Sequence, residues 1–206
     1  MIAIVDYGMG NLRSAQKAFE RVGAEAAIVS APAPIAQADK LVLPGVGNFG
    51  QAVQNLRSGG LVEPILQFIE SGRPFLGICL GHQLLFESST EDGQHTGLGV
   101  FAGDAVRFDF EGLPGGYGLK VPHMGWNQMF WAKPCPLLRG LKSGTYFYFV
   151  HSYYVRPADP NVVCGRCHYG VEFAAMLWKD QVFATQFHPE KSQRDGLRIL
   201  ANFAAL

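Results

Sequence analysis

A nucleophile, a base and an acid stand out in this chain by type and spacing. The stretch GICLGHQ (Gly77–Gln83) follows an apolar run, Pro74-Phe75-Leu76, and leads into a helical pattern. Cys79 is therefore the apex of a Gly-x-Cys-x-Gly turn between a strand and a helix, where a side chain is pushed out of the sheet edge. Gly77 and Gly81 leave out the Cβ atoms that would clash in so tight a bend. The partial positive charge of a helix N-terminus favours an anion there, and the thiolate is the form of cysteine that attacks. A second stretch, QFHPEKS (Gln186–Ser192), puts His188 109 positions beyond Cys79, with Glu190 two residues further on. The imidazole can take and return a proton, and the carboxylate can fix its tautomer and stabilise its charged form. Such a set suits amide hydrolysis, which needs a nucleophile better than water. Of the six histidines only His188 has this setting, and His151 in FVHSYY (Phe149–Tyr154) is the nearest rival.

Three other motifs carry weaker signals. Leu43-Pro44-Gly45-Val46-Gly47 follows an apolar strand and precedes a helix. It reads either as a plain turn or as an anion nest that supplies an oxyanion hole together with the N–H of Leu80. Gly8-Met9-Gly10 after the first strand invites a dinucleotide reading. Arg13 replaces the third glycine, however, and Ser30 stands where the next strand should end in an acid. CGRCH (Cys164–His168) matches the c-type haem attachment string. It continues an apolar run, and no helix follows as a thioredoxin-like dithiol requires, so both cysteines read as strand residues. Outside that string no His/Cys/Asp cluster has ligand spacing, so no metal and no cofactor is implied.

The elements that must position these groups follow from apolar periodicity. Ile2–Tyr7, Glu25–Val29, Lys40–Leu43 and Pro74–Ile78 read as buried strands. Helices are expected over Asn11–Val22, with Leu12, Ala15, Phe19 and Val22 on one face, and over Leu61–Ser71, ended by Gly72. Strands alternating with helices indicate βαβ units and a parallel sheet. After Gly93 the pattern turns strand-rich: Val100–Phe110, Gly125–Trp131, Thr145–Val155 and Val162–His168, with turns at LPGGYG (113–118) and RPADPN (156–161). A closing helix over Leu197–Leu206 is expected to turn Leu197, Leu200, Ala201 and Ala204 inward. The expected fold is α/β, a mostly parallel central sheet with an antiparallel layer added in the second half.

Composition agrees and excludes several classes. A chain of 206 residues suits one well-buried domain, 1–206, and is short for two. Hydrophobic residues make up 48% and charged residues 17%, which supports a large core and argues against disorder. Lys+Arg and Asp+Glu both count 17, without the basic footprint that nucleic acid binding needs. No apolar run approaches a membrane span. MIAIVDYG meets an acid at Asp6 and reads as a strand, not a signal peptide, so the expected compartment is the cytoplasm.

GICLGHQ with the distant HPE resembles the class I glutamine amidotransferase family, whose Cys-His-Glu triad hydrolyses glutamine to glutamate and ammonia. IVDYGMGNLRS (Ile4–Ser14), LPGVGNFG (Leu43–Gly50), VPHMGWN (Val121–Asn127) and FVHSYY extend the likeness to the branch serving imidazole glycerol phosphate synthase, over essentially the whole chain. The resemblance implies a three-layer, flavodoxin-like α/β sandwich, with Cys79 as nucleophile, His188 as base and Glu190 as its orienting acid. It selects the nest reading, with Val46, Gly47 and Leu80 at the oxyanion. Gln83, His151, Ser152 and Tyr153 then line the glutamine site, the last three through a strand backbone. It also implies a partner, a (β/α)8-barrel cyclase subunit forming a heterodimer. That subunit would join the ammonia to a phosphoribulosyl-formimino-carboxamide nucleotide, releasing imidazole glycerol phosphate and an aminoimidazole carboxamide ribotide. His82 departs from the branch, which usually has Met there. LGHQ is common in amidotransferases of anthranilate and aminodeoxychorismate synthesis, although those relatives typically have PGPG and lack PHMGWN. A glutaminase subunit of such a synthase is thus the alternative.

Asn11, Trp126 and Lys191 lie in motifs whose chemistry does not need them, in DYGMGN, PHMGWN and HPEK. Asn11 and Cys79 both follow strand C-termini, hence share the edge at which open α/β sheets bind ligands. These three residues are the expected partner interface.

Overall fold

The computed structural model describes residues 1–206 apart from 114, 115 and 117, so the turn expected at 113–118 lies partly outside the described residues. β1 (Ile2–Val5), α1 (Leu12–Arg21), β2 (Ala26–Val29), α2 (Pro32–Gln37), β3 (Lys40–Gly45), α3 (Phe49–Ser58), α4 (Val62–Glu70) and β4 (Phe75–Cys79) follow in order. β1, β3 and β4 are buried along nearly their whole length, as strands covered by helices on both faces must be. The strands and helices expected up to Cys79 are present with ends moved by no more than two residues. α2 is an addition: six residues too few to show a period, opened by Pro32 at a position where a missing N–H costs nothing.

Beyond Cys79 come α5 (Leu80–Leu84), β5 (Phe86–Ser89), β6 (His95–Thr96), β7 (Phe101–Arg107), β8 (His123–Trp131) and β9 (Thr145–His151). β10 (Tyr153–Pro157), β11 (Val163–Tyr169), β12 (Val171–Lys179), β13 (Val182–Thr185) and α6 (Gln193–Ala204) complete the chain. Nine strands form one sheet, ordered β2-β1-β3-β4-β13-β12-β11-β8-β9, and four form another, β10-β7-β5-β6. From β2 to β13 every pairing is parallel, and from β13 to β9 every pairing is antiparallel.

Strand alternation feeds two cores, one on each face of the large sheet. Ile2, Ile4, Val42 and Leu76 share one with Phe19 of α1 and Phe203 of α6. Ala3, Val5, Leu41 and Phe75 share the other with Phe49 of α3 and Phe68 of α4, along with Phe86 and Phe101 of the small sheet. The result is the expected layered α/β architecture.

Three expectations change. Thr145–Val155 is not one strand but two, β9 in the large sheet and β10 in the small one, with Ser152 between them. Phe108 N–H donates to Ser152 O at 3.0 Å where the chain crosses. β3 runs to Gly45, so the turn after it starts at Val46. In α6 the inward residues are Ile199, Leu200 and Phe203, while Leu197, Ala201 and Ala204 are half-buried. The helix phase is set by Gly196, where a Cβ would stand 2.0 Å from Pro189 O, and by Phe203 packing on Phe19.

Candidate active site

Parallel register decides which loops meet. Gly45 lies opposite Cys79 across β3 and β4, and Ile78 opposite Thr185 across β4 and β13. Three neighbouring strands therefore release the chain at one sheet edge. They deliver Val46-Gly47, Cys79 and the run from Gln186 to Glu190.

The elbow is built by close backbone approach. Cys79 has φ 54° and ψ −104°, a conformation that costs a residue with a Cβ about 1–3 kcal/mol. A Cβ on Gly81 would stand 1.8 Å from Leu43 O, and one on Gly77 would stand 2.7 Å from Gly81 O. Both glycines are thus required by space. Leu80 is the first residue of α5, so its N–H has no intrahelical acceptor.

His188 and Glu190 face the elbow as a buried pair. His188 Nδ1 lies 2.8 Å from Glu190 Oε1, with both side chains almost wholly buried. The carboxylate only accepts, so Nδ1 carries the proton. Nε2 makes no hydrogen bond to any described group and is free to face Cys79. Burial alone would lower the His188 pKa. The facing charge of Cys79, then the hydrogen bond and charge of Glu190, outweigh it and hold the imidazole at about 10. Cys79 Sγ also lies 3.8 Å from Val150 O and from Gln186 Nε2.

A cavity of about 250 Å³ opens beside the thiol. Every residue expected there lines it: Val46, Gly47, Leu80, Gln83, His151, Ser152 and Tyr153, together with Glu91, Pro122 and Val150. Gln83 Nε2 donates to Tyr153 O at 2.9 Å and to Gln186 Oε1 at 3.2 Å, pinning the far wall. Glu91 is anchored by the Phe49 N–H at 2.6 Å, and burial raises its pKa.

Two residues at the thiol were not expected. Gln186, fully buried, holds its amide against Sγ, yet in sequence it looks like an ordinary strand residue beside the HPE string. Tyr7 buries a hydroxyl that has no hydrogen-bond partner among the described residues, so close to β3 that a Cβ on Gly45 would stand 2.3 Å from it. Burial and the Cys79 charge push its phenol well up. His82 is wholly buried, edge-on to Phe86 at 6.2 Å between centroids, and does not line the cavity. Burial lowers it to about 3, so it is a neutral core residue beneath the elbow.

The profile of the glutamine amidotransferase class-I family matches residues 3–205 of this chain. The chain belongs to that family. Among curated relatives of this amidotransferase, the imidazole glycerol phosphate synthase subunit HisH of Syntrophotalea carbinolica is 60% identical over 203 residues, covering 98% of each chain. The protein of the same name from Geobacter sulfurreducens is 54% identical over 205 residues, covering 100% of this chain and 98% of its own. Among solved structures, PurLQS from Thermotoga maritima superposes with a TM-score of 0.75 at 18% identity, covering 98% of this chain and 96% of that one. At that identity the likeness shows the class I fold alone.

The amidotransferase exposes all three expected interface residues. Asn11 stands at the N-cap position of α1, without a side-chain capping bond, and α1 packs against the turn Pro189–Lys191. Trp126 is 46% exposed on β8, and Lys191 follows Glu190. Trp126, Tyr146 and Arg194 line one groove. The cysteines of CGRCH are buried in β11, inside the large sheet.

Proposed function

We propose that this amidotransferase is the glutaminase subunit of imidazole glycerol phosphate synthase. It hydrolyses glutamine to glutamate and ammonia and passes the ammonia to a (β/α)8-barrel cyclase subunit in histidine biosynthesis. What carries this reading is the convergence of Cys79, His188 and Glu190 on one sheet edge, in a chain 60% identical to a relative of that name.

The thiolate of Cys79 attacks the side-chain carbonyl carbon of glutamine, and the C=O electron pair moves to oxygen. The N–H groups of Val46 or Gly47 and of Leu80 are proposed to receive that oxyanion. The imidazolium of His188, held protonated through neutral pH by its raised pKa, gives its proton to the departing nitrogen. The C–N bond breaks, leaving ammonia and a thioester. Neutral His188 then takes a proton from water, hydroxide adds to the thioester, and the thiolate leaves as glutamate forms. Glu190 keeps the ring oriented throughout.

Ammonia is released at the edge that also carries Asn11, Trp126 and Lys191. A cyclase seated there would receive it before solvent does. No helix of the described residues is long and apolar enough to cross a membrane. Four free cysteines fit work in the reducing cytoplasm. The test is Cys79→Ala in the assembled complex. Glutamine-dependent synthesis should disappear while ammonia-dependent synthesis by the cyclase persists. Loss of both in an intact complex refutes the division of labour.

A further inference from the structure

Three polar side chains that the hydrolysis steps do not use form a hydrogen-bonded line behind the cavity. Asn127 Nδ2 lies 3.2 Å from His123 Nε2, His123 Nδ1 lies 3.0 Å from His151 Nε2, and His151 Nδ1 lies 2.8 Å from Tyr153 O. Every donor is forced. His123 and His151 are buried, and burial lowers them to about 4 and about 3, so both rings are neutral. A neutral imidazole has one donor nitrogen and one acceptor. Tyr153 O only accepts, so His151 is protonated on Nδ1 and offers a lone pair at Nε2. His123 must then donate from Nδ1, and its Nε2 must accept from Asn127. The amide of Asn127 is itself fixed. Its Nδ2 also donates to His168 O at 2.9 Å, and its Oδ1 accepts the Gln128 N–H at 2.8 Å.

Both ends of this line matter to the site. Tyr153 O also takes the amide of Gln83, and Val150–Tyr153 is the backbone that crosses between the sheets while lining the cavity. At the other end is β8. His123 and Asn127 lie on its inner side, while Met124 and Trp126 between them are 63% and 46% exposed. Packing alone does not call for two facing imidazoles. The His123 ring stacks on Tyr169 at 4.1 Å and on Phe149 at 5.0 Å, which any aromatic ring would satisfy.

We infer that Asn127, His123 and His151 form a one-directional hydrogen-bond relay that positions the Val150–Tyr153 backbone in the glutamine cavity and ties it to β8. All three are positioning residues. The inference rests on the cavity being the glutamine site. Because the exposed face of the same strand carries Met124 and Trp126, a partner seated on that face acts on the cavity wall through this line.

Asn127→Asp tests it with almost no change of shape. A carboxylate cannot donate, so His123 must donate from Nε2, and its Nδ1 lone pair then faces the lone pair of His151. Long-range proton–nitrogen NMR of the rings should show both histidines protonated on Nδ1 in the native protein, and at least one reversed in the variant. In the complex with its cyclase, the variant's KM for glutamine should rise about tenfold while kcat moves much less, as expected for one lost positioning bond. His123→Phe should reproduce the KM change, and His123→Asn, which keeps a donor at the Nδ1 position, should recover most of it. Native rings protonated on Nε2, or an unchanged KM in both Asn127→Asp and His123→Phe, overturns the relay. If the native complex hydrolyses no glutamine, the glutamine reading fails instead, and the ring tautomers alone decide the relay.

Discussion

Replacing Glu190 with Gln removes one charge and little else. The pair it interrupts is 2.8 Å long, with the His188 and Glu190 side chains 2% and 4% exposed, so solvent screens it weakly. Gln can still accept from Nδ1–H, so the ring keeps its tautomer, and what is lost is the difference between a charged and a neutral hydrogen bond. The charged bond contributes about 1.5–3 kcal/mol and the neutral one about 0.5–1.5, a difference of about 1–2 kcal/mol. At 1.36 kcal/mol per decade that is a fall in kcat of about 5- to 30-fold. His188→Ala removes the proton carrier itself and should cost about 100- to 10,000-fold. The pH profile adds a signed check. His188 sits at about 10, partly because of Glu190, and ammonia can leave only while the ring is protonated. Activity should fall as pH rises through that pKa. Without the carboxylate the pKa drops, so the alkaline fall should begin at lower pH in Glu190→Gln. Initial rates of glutamate release by the complex, at saturating glutamine across pH 6–10, measure both effects. Equal losses in the two variants, or an alkaline fall that moves upward, would refute this account of the pair.

Gly81→Ala should destabilise the fold by about 3 kcal/mol, because a Cβ 1.8 Å from the Leu43 carbonyl forces β3 and α5 apart; thermal unfolding measures it, and an unchanged Tm contradicts the elbow geometry. Trp126→Ala and Lys191→Ala should leave the exposed surface folded and weaken cyclase binding about tenfold or more, together with partner-stimulated hydrolysis. Unchanged affinity in both places the partner elsewhere. Cys164→Ser with Cys167→Ser buries two hydroxyls among apolar side chains and should cost about 1–3 kcal/mol per site in denaturant unfolding, with kcat unaffected. Lost activity with intact folding gives these thiols a role in the chemistry.

The parts of the site that sequence conveys are those written in local geometry. A cysteine between glycines after an apolar run states its own turn, and a carboxylate two residues after a histidine states its own pairing. Gln186 and Tyr7 escape such reading because their roles come from strands far apart in sequence that end at the same edge. The same holds for His123 and Asn127, which look like loose polar residues until β9 is laid beside β8 and His151 falls opposite His123. Among the strands, β6 has two residues, too few for a period to show. The break at Ser152 hides for another reason: Thr145–Val155 is continuously strand-like, and only tertiary pairing decides that its halves join different sheets.

The position of β13 bears on how the molecule is made. It follows the other twelve strands of the described residues yet lies between β4 and β12, where the parallel half of the sheet meets the antiparallel half. Until it is synthesised, β2-β1-β3-β4 and β12-β11-β8-β9 can form only as two half-sheets, each with an unpaired inner edge. Its pairing with β4 joins residues such as Ile78 and Thr185, 107 positions apart, the kind of distant parallel contact that forms slowly. That same event carries His188 to Cys79. A growing or truncated chain thus holds a thiol without its base, and the step that closes the fold is the one that arms the nucleophile.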